Sequence, residues 1–250
     1  EDGIKGRSGR HAVSTVRRRV LALGRMHRLQ GFASPGDAPA VKQVFRRARR
    51  QAAYSPRPRH KPITRAILEA MIETCDDTLR GRRDRALLLV AFASGGRRRS
   101  EVTALEHSDL TQVPGGYLLR IHRSKTDQQG KGLEVPVLDI AAPALNRWLE
   151  ISGIRTGRLF RAIKPDGSLA QSLSDKAIAR MVKRRIGLAG FDIADYSAHS
   201  IRSGFITEAG RQRIALGDAM ALSGHRTVGV ALRYYRAGDV LANPAAHLLS

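Results

Sequence analysis

Apolar residues recur every three or four positions over most of the chain, which is the spacing of one face of a helix. Val13, Val16 and Val20 follow this spacing near the start, with arginines on the other faces, and predict an amphipathic helix with a basic side. Val41 and Val44 begin a second helix of the same kind, which ends in the run RRARR. The pattern therefore indicates a short helical part in the first fifty residues.

A different composition follows over residues 51–62, QAAYSPRPRHKP. This stretch has three prolines and no apolar period, as is typical of a linker. We therefore place a domain boundary near residue 60, between a helical part over residues 1–59 and a larger domain over residues 60–250.

The larger domain is again mostly helical in its pattern. Thr64 is placed to cap a helix through Cys75, and the run ALLLVAFA is apolar on all sides, which predicts a buried central helix. The extended runs YLLRI and LEVPVL, on either side of a polar loop, predict an antiparallel β-hairpin. Further helices are predicted around Leu145, after Ser174, and as three short helices that break at Gly210 and Gly224. The predicted fold class is mainly α with a small antiparallel β-hairpin or sheet.

Composition adds a strong positive charge to this picture. The chain has 250 residues, with 44 lysines and arginines against 22 acidic residues and a formal net charge of +22. Such an excess favours a polyanionic partner, and 42% apolar residues suffice for a buried core. The single Cys75 excludes an internal disulfide. No apolar run reaches the roughly 18 residues of a membrane span and no signal peptide opens the chain, so we expect a cytoplasmic protein.

Two basic clusters are candidates for binding a phosphate. His199 and Arg202 lie three residues apart and share a helix face, which Ser197 is placed to cap, so they can form an anion pocket at a helix N-terminus. Taken alone, this spacing favours an ordinary surface pair. Arg98 lies between two other arginines, as in a solvated basic corner, but Glu101 is placed to orient its guanidinium for two hydrogen bonds to a phosphate.

Three further positions have an ordinary and a chemical interpretation. Lys125 lies at the presumed hairpin turn, where a lysine usually makes the tip soluble but can also enter a DNA groove. His225 follows a glycine at a helix break and fits a simple cap, while Tyr234 and Tyr235 both fit core aromatics. On its own evidence, each of these positions stays open.

Together, in this order and setting, the residues resemble the tyrosine recombinases, the lambda-integrase-type site-specific recombinases. The family pattern runs Gly-x-Arg-x-x-Glu, Ser/Thr-Lys-Thr, His-x-x-Arg, Gly-His/Trp, and then a tyrosine nine residues after that histidine. Its register selects Tyr234 over Tyr235. The first fifty residues are most similar to the Cre recombinase group, so the resemblance covers nearly the whole chain. The matching residues are Gly96, Arg98, Glu101, Ser124, Lys125, Thr126, His199, Arg202, Gly224, His225 and Tyr234.

Two features depart from the family pattern. Arg97 and Arg99 flank Arg98 where the family usually has apolar residues, which leaves open which arginine faces the phosphate, with Arg98 preferred. Only about two helices precede the linker, whereas the family's SAM-like core-binding domain has four or five. We therefore expect residues 1–59 to be a truncated DNA-binding domain, and residues 60–250 to be the catalytic domain.

The resemblance implies that DNA strands are cleaved and rejoined through a 3′-phosphotyrosyl intermediate, without a metal, ATP or another cofactor. Tyr234 is the implied nucleophile. Because a tyrosine pKa of about 10 leaves the hydroxyl protonated at neutral pH, it needs a proton acceptor, for which His199 is the first candidate. The resemblance makes Lys125 the general acid for the 5′-oxygen. The phosphate is expected to be held by Arg98 and Arg202 through charge, by His225 through a hydrogen bond, and by Glu101 as support behind them.

The resemblance also implies the partners. We expect duplex DNA with an inverted-repeat site, clamped between the two parts of the chain, and a tetramer on DNA that forms through the C-terminal tail. Accessory DNA-bending proteins and the bacterial nucleoid complete the expected setting. Basic side chains predicted to contact phosphates, for which a solvated face is an equal alternative, are Arg17, Arg18, Arg46, Arg47, Lys176, Arg180 and Lys183.

Three other functions compete with this interpretation. A type IB topoisomerase uses a similar set of groups but acts as a monomer and reseals the same strand. A DNA-binding regulator on a recombinase scaffold needs none of the chemical groups, although all are present. A basic RNA-binding protein is disfavoured, since aromatic residues make up only 5% of the chain and no stacking motif is present.

Overall fold

The computed structural model of the protein describes residues 11–54, 60–122 and 132–235. By internal contacts the chain forms two compact units, unit 1 (Glu1–Arg59) and unit 2 (His60–Ser250). The division falls within the predicted linker. The DNA-binding role of the first unit and the catalytic role of the second stay predictions.

Unit 1 contains two described helices joined through a short 3₁₀ turn. Helix α1 (Val13–Leu29) leads to the turn at Pro35–Asp37, and helix α2 (Pro39–Tyr54) follows it. The turn comes close to α1 at Gly24, where any side chain would collide with Ser34. Helix α2 continues into the predicted linker, because the first prolines of that stretch come only after its end.

Unit 2 is mainly helical, and its centre is helix α4. The side chains of Leu87, Leu88 and Val90 in this helix are completely buried in one continuous core. The prediction of a central buried helix is confirmed. Among the described helices, none has the length and apolarity to cross a membrane. The helices of unit 2 are α3 (Arg65–Glu73), α4 (Leu79–Ala93), α5 (Arg99–Ala104), α6 (Ala141–Ser152), α7 (Asp175–Leu188), α8 (Ser200–Arg211), α9 (Leu216–Ser223) and α10 (Val228–Tyr235).

A three-stranded antiparallel sheet contributes to the same core. Leu119 in the middle strand pairs with Leu110 on one side and Val135 on the other. The predicted hairpin corresponds to the second and third strands, whereas the first was missed. That strand has only four residues, two of them polar. Its sequence pattern therefore does not predict a strand, and it is recognised only by its pairing with its neighbour. In order along the chain and across the sheet, the strands are β1 (Leu110–Val113), β2 (Gly116–Ile121) and β3 (Leu133–Val137).

A buried ion cluster joins α4 to α7. The Asp84 carboxylate accepts hydrogen bonds from Arg185 Nε and Nη2 at 3.0 and 2.8 Å, and from Arg83 Nε and Nη2 at 3.1 and 2.6 Å. Arg185 also donates from Nη1 to the carbonyl of Thr74 at 2.6 Å. Both guanidiniums are thus engaged inside the protein, and the bases that α7 exposes are others, namely Lys176, Arg180 and Arg184.

Three details of the predicted helices were wrong. Helix α3 ends before Cys75, and the hydroxyl of Thr64 makes no capping hydrogen bond although Thr64 directly precedes the helix. Gly210 lies within α8, which ends one residue later, instead of breaking it. The backbone carbonyl of Tyr235 packs against Gly210 where a side chain would collide, so this glycine allows α10 to approach α8. The other predicted break, at Gly224, is present, with a φ of 67°.

Candidate active site

A loop between α4 and α5, the arginine loop (residues 94–98), lies directly against two later helices. Gly95 and Gly96 have φ angles of 98° and 70°, which residues with side chains rarely adopt. A Cβ atom at Gly96 would lie 2.6 Å from the Cα atom of Arg202 in α8, and one at Gly95 would collide with the carbonyl of Leu222 in α9. The two glycines therefore allow side chains of the loop to reach both helices.

Glu101 orients the guanidinium of Arg98, as the sequence predicted. Arg98 is the N-cap residue of α5, and its backbone N–H donates to Glu101 Oε2 at 3.0 Å. Its Nη1 donates to Glu101 Oε1 at 2.5 Å. Only one side-chain nitrogen of Arg98 contacts the carboxylate, so Glu101 does not occupy the pair of parallel N–H donors of the guanidinium. The remaining N–H donors can bind a ligand that presents two oxygens.

The three consecutive arginines have different surroundings. Arg97 is only 3% exposed, the side chain of Arg98 is 30% exposed, and Arg99 is exposed on the first turn of α5. The charge of Arg98 lowers the pKa values of both Arg202 and His225, which places it in their electrostatic field. The geometry supports the preference for Arg98, and its catalytic role stays a prediction.

Arg202 is the buried cation of the site. It is 2% exposed, and its Nη1 donates to the carbonyl of Gly96 at 3.2 Å. Burial, and then the charge of Arg98, lower its pKa to about 10. At neutral pH the guanidinium is therefore still charged. The sequence predicted Arg98 and Arg202 as a pair, and the structure brings them together.

His225 is held in one tautomer by its neighbours. Its Nδ1 lies 3.3 Å from Arg202 Nη2 and 2.7 Å from the hydroxyl of Ser223. Because a guanidinium only donates hydrogen bonds, Nδ1 is the acceptor and the proton of the neutral ring is on Nε2. Burial, and then the charges of Arg202 and Arg98, lower the pKa of His225 to about 4. At neutral pH, His225 is thus an uncharged ring whose Nε2–H is the donor for a ligand.

This pKa predicts how stability depends on pH. Between pH 6.5 and about 4, the unfolded chain binds a proton at this histidine and the folded chain does not, so acidification favours unfolding. On acidification over this range, we expect the free energy of unfolding of His225→Gln to fall by about 2 kcal/mol less than that of the wild type. This value is reduced for solvent screening, because His225 is partly exposed. Urea unfolding of both proteins at pH 8, 6 and 4.5 measures this, with pH 8 as the reference at which both states are neutral. Parallel pH dependences would contradict the assignment.

His199 lies at the N-terminus of α8, beside the two arginines. It is the N-cap residue itself, so the prediction that Ser197 caps this helix was wrong. Ser197 instead forms a turn, with its carbonyl accepting from the Ser200 N–H at 2.8 Å. Partial burial, followed by the charges of Arg202 and Arg98, lowers the pKa of His199 below 6.5. The imidazole is therefore unprotonated at neutral pH and able to accept a proton.

The two tyrosines of α10 differ in what their hydroxyls do. Tyr235 donates its hydroxyl hydrogen bond to the carbonyl of Ile214 at 2.6 Å. Within the described part of the chain, the hydroxyl of Tyr234 makes no hydrogen bond, although its backbone carbonyl accepts from Thr207 Oγ1 at 3.1 Å. No described contact joins the Tyr234 side chain to the arginines and histidines. Of these two tyrosines, Tyr234 is consequently the one with a hydroxyl that the described part of the chain does not engage.

Lys125 lies outside the described residues, but the ends of its loop do not. Strand β2 ends at Ile121 and β3 begins at Leu133, and both side chains line a small cleft with Arg98, Glu101 and residues of the α9 terminus. The described residues on both sides of the segment that contains Lys125 therefore lie beside the arginine loop.

The predicted DNA-contacting residues are mostly exposed. Lys183 is half-buried, and its ammonium donates to the carbonyl of Ile193, so it is the least available of the set. The exposed members on α1, α2 and α7 are Arg17, Arg18, Arg46, Arg47, Lys176 and Arg180.

Sequence reasoning missed Ser223, and it raised Arg97 only as an alternative to Arg98 for the phosphate contact. Ser223 holds His225, and Arg97 contacts the end of α9. No local pattern marks Ser223, and the only signal at Arg97 was its departure from the apolar residue of the family pattern. Over the described ranges, no group of three or more His, Cys, Asp or Glu side chains is arranged to hold a metal ion.

Three solved structures of known proteins share the fold. The XerH site-specific recombinase bound to palindromic difH substrate aligns with a TM-score of 0.61 at 22% identity, over 79% of this chain and 55% of that chain. The lambda integrase dimer bound to a COC′ core site gives 0.53 at 17% identity, over 87% and 63%. XerA recombinase gives 0.57 at 18% identity, over 94% and 80%. The chain thus spans little more than half of XerH.

Sequence comparison identifies the family. The chain is 34% identical over 244 residues to the integrase/recombinase xerD homolog of Selenomonas ruminantium, covering 93% of this chain and 71% of the relative. Recombinase cre of Escherichia phage P1 is more distant, at 24% over 262 residues, covering 95% and 75%. The profile of the phage integrase family matches residues 61–240. Since that match takes in most of unit 2, the chain belongs to the phage integrase family, the tyrosine recombinases.

Proposed function

We propose that the protein is a site-specific DNA recombinase that cleaves and rejoins DNA strands through a 3′-phosphotyrosyl intermediate. The observation that carries this proposal is the cluster of two guanidiniums and two neutral imidazoles, namely Arg98, Arg202, His199 and His225. The cluster supplies positive charge and hydrogen-bond donors, which stabilise the negative charge on a phosphodiester in the transition state of its cleavage.

The electrostatics of the cluster favour an anion as its ligand. Burial, and then the charges of Arg98 and Arg97, lower the pKa of Arg202, while the charge of Glu101 raises it. A bound phosphate adds the negative charge that is missing, in a site whose donors are already fixed by the carboxylate of Glu101 and the carbonyl of Gly96. The site therefore needs little rearrangement to stabilise the negative charge that develops during the reaction.

The proposed chemistry is a transesterification in which atoms and charges balance. The hydroxyl oxygen of Tyr234 forms a bond to phosphorus, its proton passes to the neutral His199, and the bond from phosphorus to the 5′-oxygen breaks. Lys125 protonates that leaving oxygen. His225 donates from Nε2 to a non-bridging oxygen, and Arg98 and Arg202 share the added negative charge. Attack by a 5′-hydroxyl on the phosphotyrosine reverses the step, so the bond energy is conserved and rejoining needs no ATP.

The proposed partners follow from the relatives and the charge. A net charge of +22 suits a duplex DNA ligand, and a lambda integrase tetramer bound to a Holliday junction is among the proteins of this fold. We propose that this chain likewise works as a tetramer on an inverted-repeat site, joined through its C-terminal tail and assisted by DNA-bending proteins. Its setting is then the bacterial nucleoid.

The test is covalent capture from DNA. The wild-type protein is incubated with a library of nicked duplexes from host DNA, the mixture is denatured, and the DNA that stays attached is sequenced. We expect one inverted-repeat sequence, attached through its 3′-phosphate with a free 5′-hydroxyl on the other side of the break. Cleavage without attached protein, or no adduct on any duplex, would contradict the proposal. Recombination between two captured sites on one plasmid, rather than relaxation alone, separates a recombinase from a type IB topoisomerase.

A further inference from the structure

Arg97 is a buried cation that the proposed reaction does not use directly. Its side chain is 1% exposed, and its Nη2 donates to the backbone carbonyl of Leu222. Its Nη1 lies 3.8 Å from Glu101 Oε2, a carboxylate that already serves Arg98. Both terminal nitrogens of Arg97 thus face groups of the protein, so we expect any effect on the reaction to act through other residues.

The contact with Leu222 is made at a structurally sensitive point. Leu222 lies in the last turn of α9, where carbonyls have no partner within the helix and a cation is favoured. Directly after it come Ser223, whose hydroxyl contacts His225 Nδ1 at 2.7 Å, and Gly224, which turns the chain. The guanidinium of Arg97 therefore binds the backbone immediately before the segment that carries His225.

The burial of Arg97 is costly, which argues that it is retained for a purpose. Its Nε is buried and, among the residues that the structure describes, has no hydrogen-bond partner. Burial lowers its pKa more than any other influence, with Arg98 acting in the same direction. An apolar side chain would fill this position without such a cost.

We propose that Arg97 is a positioning residue, which holds the end of α9 against the arginine loop and thereby sets His225 in register with Arg98 and Arg202. The inference rests on the proposed function. In this role, the side chain of Arg97 connects the arginine loop to the end of α9, 125 residues later in the sequence.

The first test replaces Arg97 by leucine. Single-turnover adduct formation on the captured duplex is expected to slow by about 10- to 100-fold, as for a catalytic group displaced by a fraction of an ångström to one ångström. The dissociation constant for that duplex is expected to stay within about twofold, since the guanidinium of Arg97 is engaged by the Leu222 carbonyl and faces Glu101. Arg97→Lys, which keeps a donor for the carbonyl of Leu222, should recover part of the rate. Arg147→Gln, which removes an exposed charge on α6, is the control for net charge and should cleave as the wild type does.

A double-mutant cycle separates positioning from general damage. If Arg97 acts through His225, then Arg97→Leu slows cleavage by less than about twofold in a His225→Ala background. An equal loss in both backgrounds, or no loss in the single variant, would overturn the inference.

An NMR titration of His225 in the free protein is independent of activity. Burial lowers the pKa of His225 most, followed by the charges of Arg202, Arg98, His199 and, last, Arg97, so loss of the Arg97 charge alone should raise this pKa only slightly. If the ring also moves away from Arg202 and out of its buried position, the pKa should rise further, towards that of an ordinary histidine. An unchanged titration in Arg97→Leu would overturn the inference. Absence of any adduct with the wild-type protein would instead overturn the proposed function, and the titration would still decide whether Arg97 positions His225.

Discussion

Tyr234→Phe is expected to abolish the covalent protein–DNA adduct, with strand cleavage slower by at least about 10⁴-fold, as when an enzyme loses its nucleophile. The phenylalanine ring keeps the packing of the tyrosine against Ile206, Ala209 and Ala219 of α8 and α9. Only the oxygen that bonds to phosphorus is lost. DNA affinity should therefore remain, and the variant should still bind the captured site.

Tyr235→Phe is the matched control, because it removes the same atom from the adjacent residue. The Tyr235 hydroxyl binds the carbonyl of Ile214 at 2.6 Å, so its loss is expected to lower the free energy of unfolding by about 1 kcal/mol and to leave cleavage nearly unchanged. A nicked duplex that releases a short strand on cleavage traps the intermediate of each variant for quantification on a denaturing gel. The opposite pattern, with adducts from Tyr234→Phe alone, would make Tyr235 the nucleophile.

The two tyrosines also show how far the sequence leads. Their helix was predicted from apolar spacing, and the choice of Tyr234 came from the register of a family pattern. Neither the apolar spacing nor the family pattern predicts that the Tyr235 hydroxyl donates to the carbonyl of Ile214, 21 residues earlier in the chain. The structure adds this as a physical reason for the same choice.

Elements with a strong periodic pattern were predictable, and elements defined by pairing were not. The run ALLLVAFA has no polar face and forms the buried centre of α4. Strand β1 has no such pattern and exists because β2 supplies its hydrogen bonds. A glycine at position 210 predicts a helix break, whereas in the structure this glycine lies within α8 and admits the backbone of Tyr235.

The same division holds within the candidate site. Arg98, His199, Arg202 and His225 were found because their order matches a family, and their individual spacings would not have selected them. The contact of Arg97 with the Leu222 carbonyl forms only when α9 packs on the arginine loop, whereas Ser223 contacts His225 within the turn that follows α9. Local sequence does not encode such contacts, so these two residues became visible only with the fold.

Substituting lysine for either arginine of the cluster is expected to slow strand cleavage by about 10²- to 10³-fold, even though the positive charge is retained. Arg202 uses Nη1 for the carbonyl of Gly96 and places Nη2 beside His225. Arg98 uses one nitrogen for Glu101. A lysine has a single nitrogen and no planar fork, so it cannot keep the protein contact and also present two parallel donors to a phosphate. Single-turnover cleavage at saturating protein measures the loss, and binding to the uncleaved duplex at the same salt concentration shows that it arises in the chemical step.

Arg99→Lys decides which member of the arginine run is the functional one. Arg99 is exposed on α5 and has no described hydrogen bond to the cluster, so we expect its replacement to change cleavage by less than about threefold. A large loss from Arg99→Lys together with normal cleavage by Arg98→Lys would move the phosphate contact to Arg99. The expected order of losses has a physical basis. Arg98 is the member of the run that is both accessible to a ligand and fixed by a buried carboxylate, and transition-state stabilisation requires both properties.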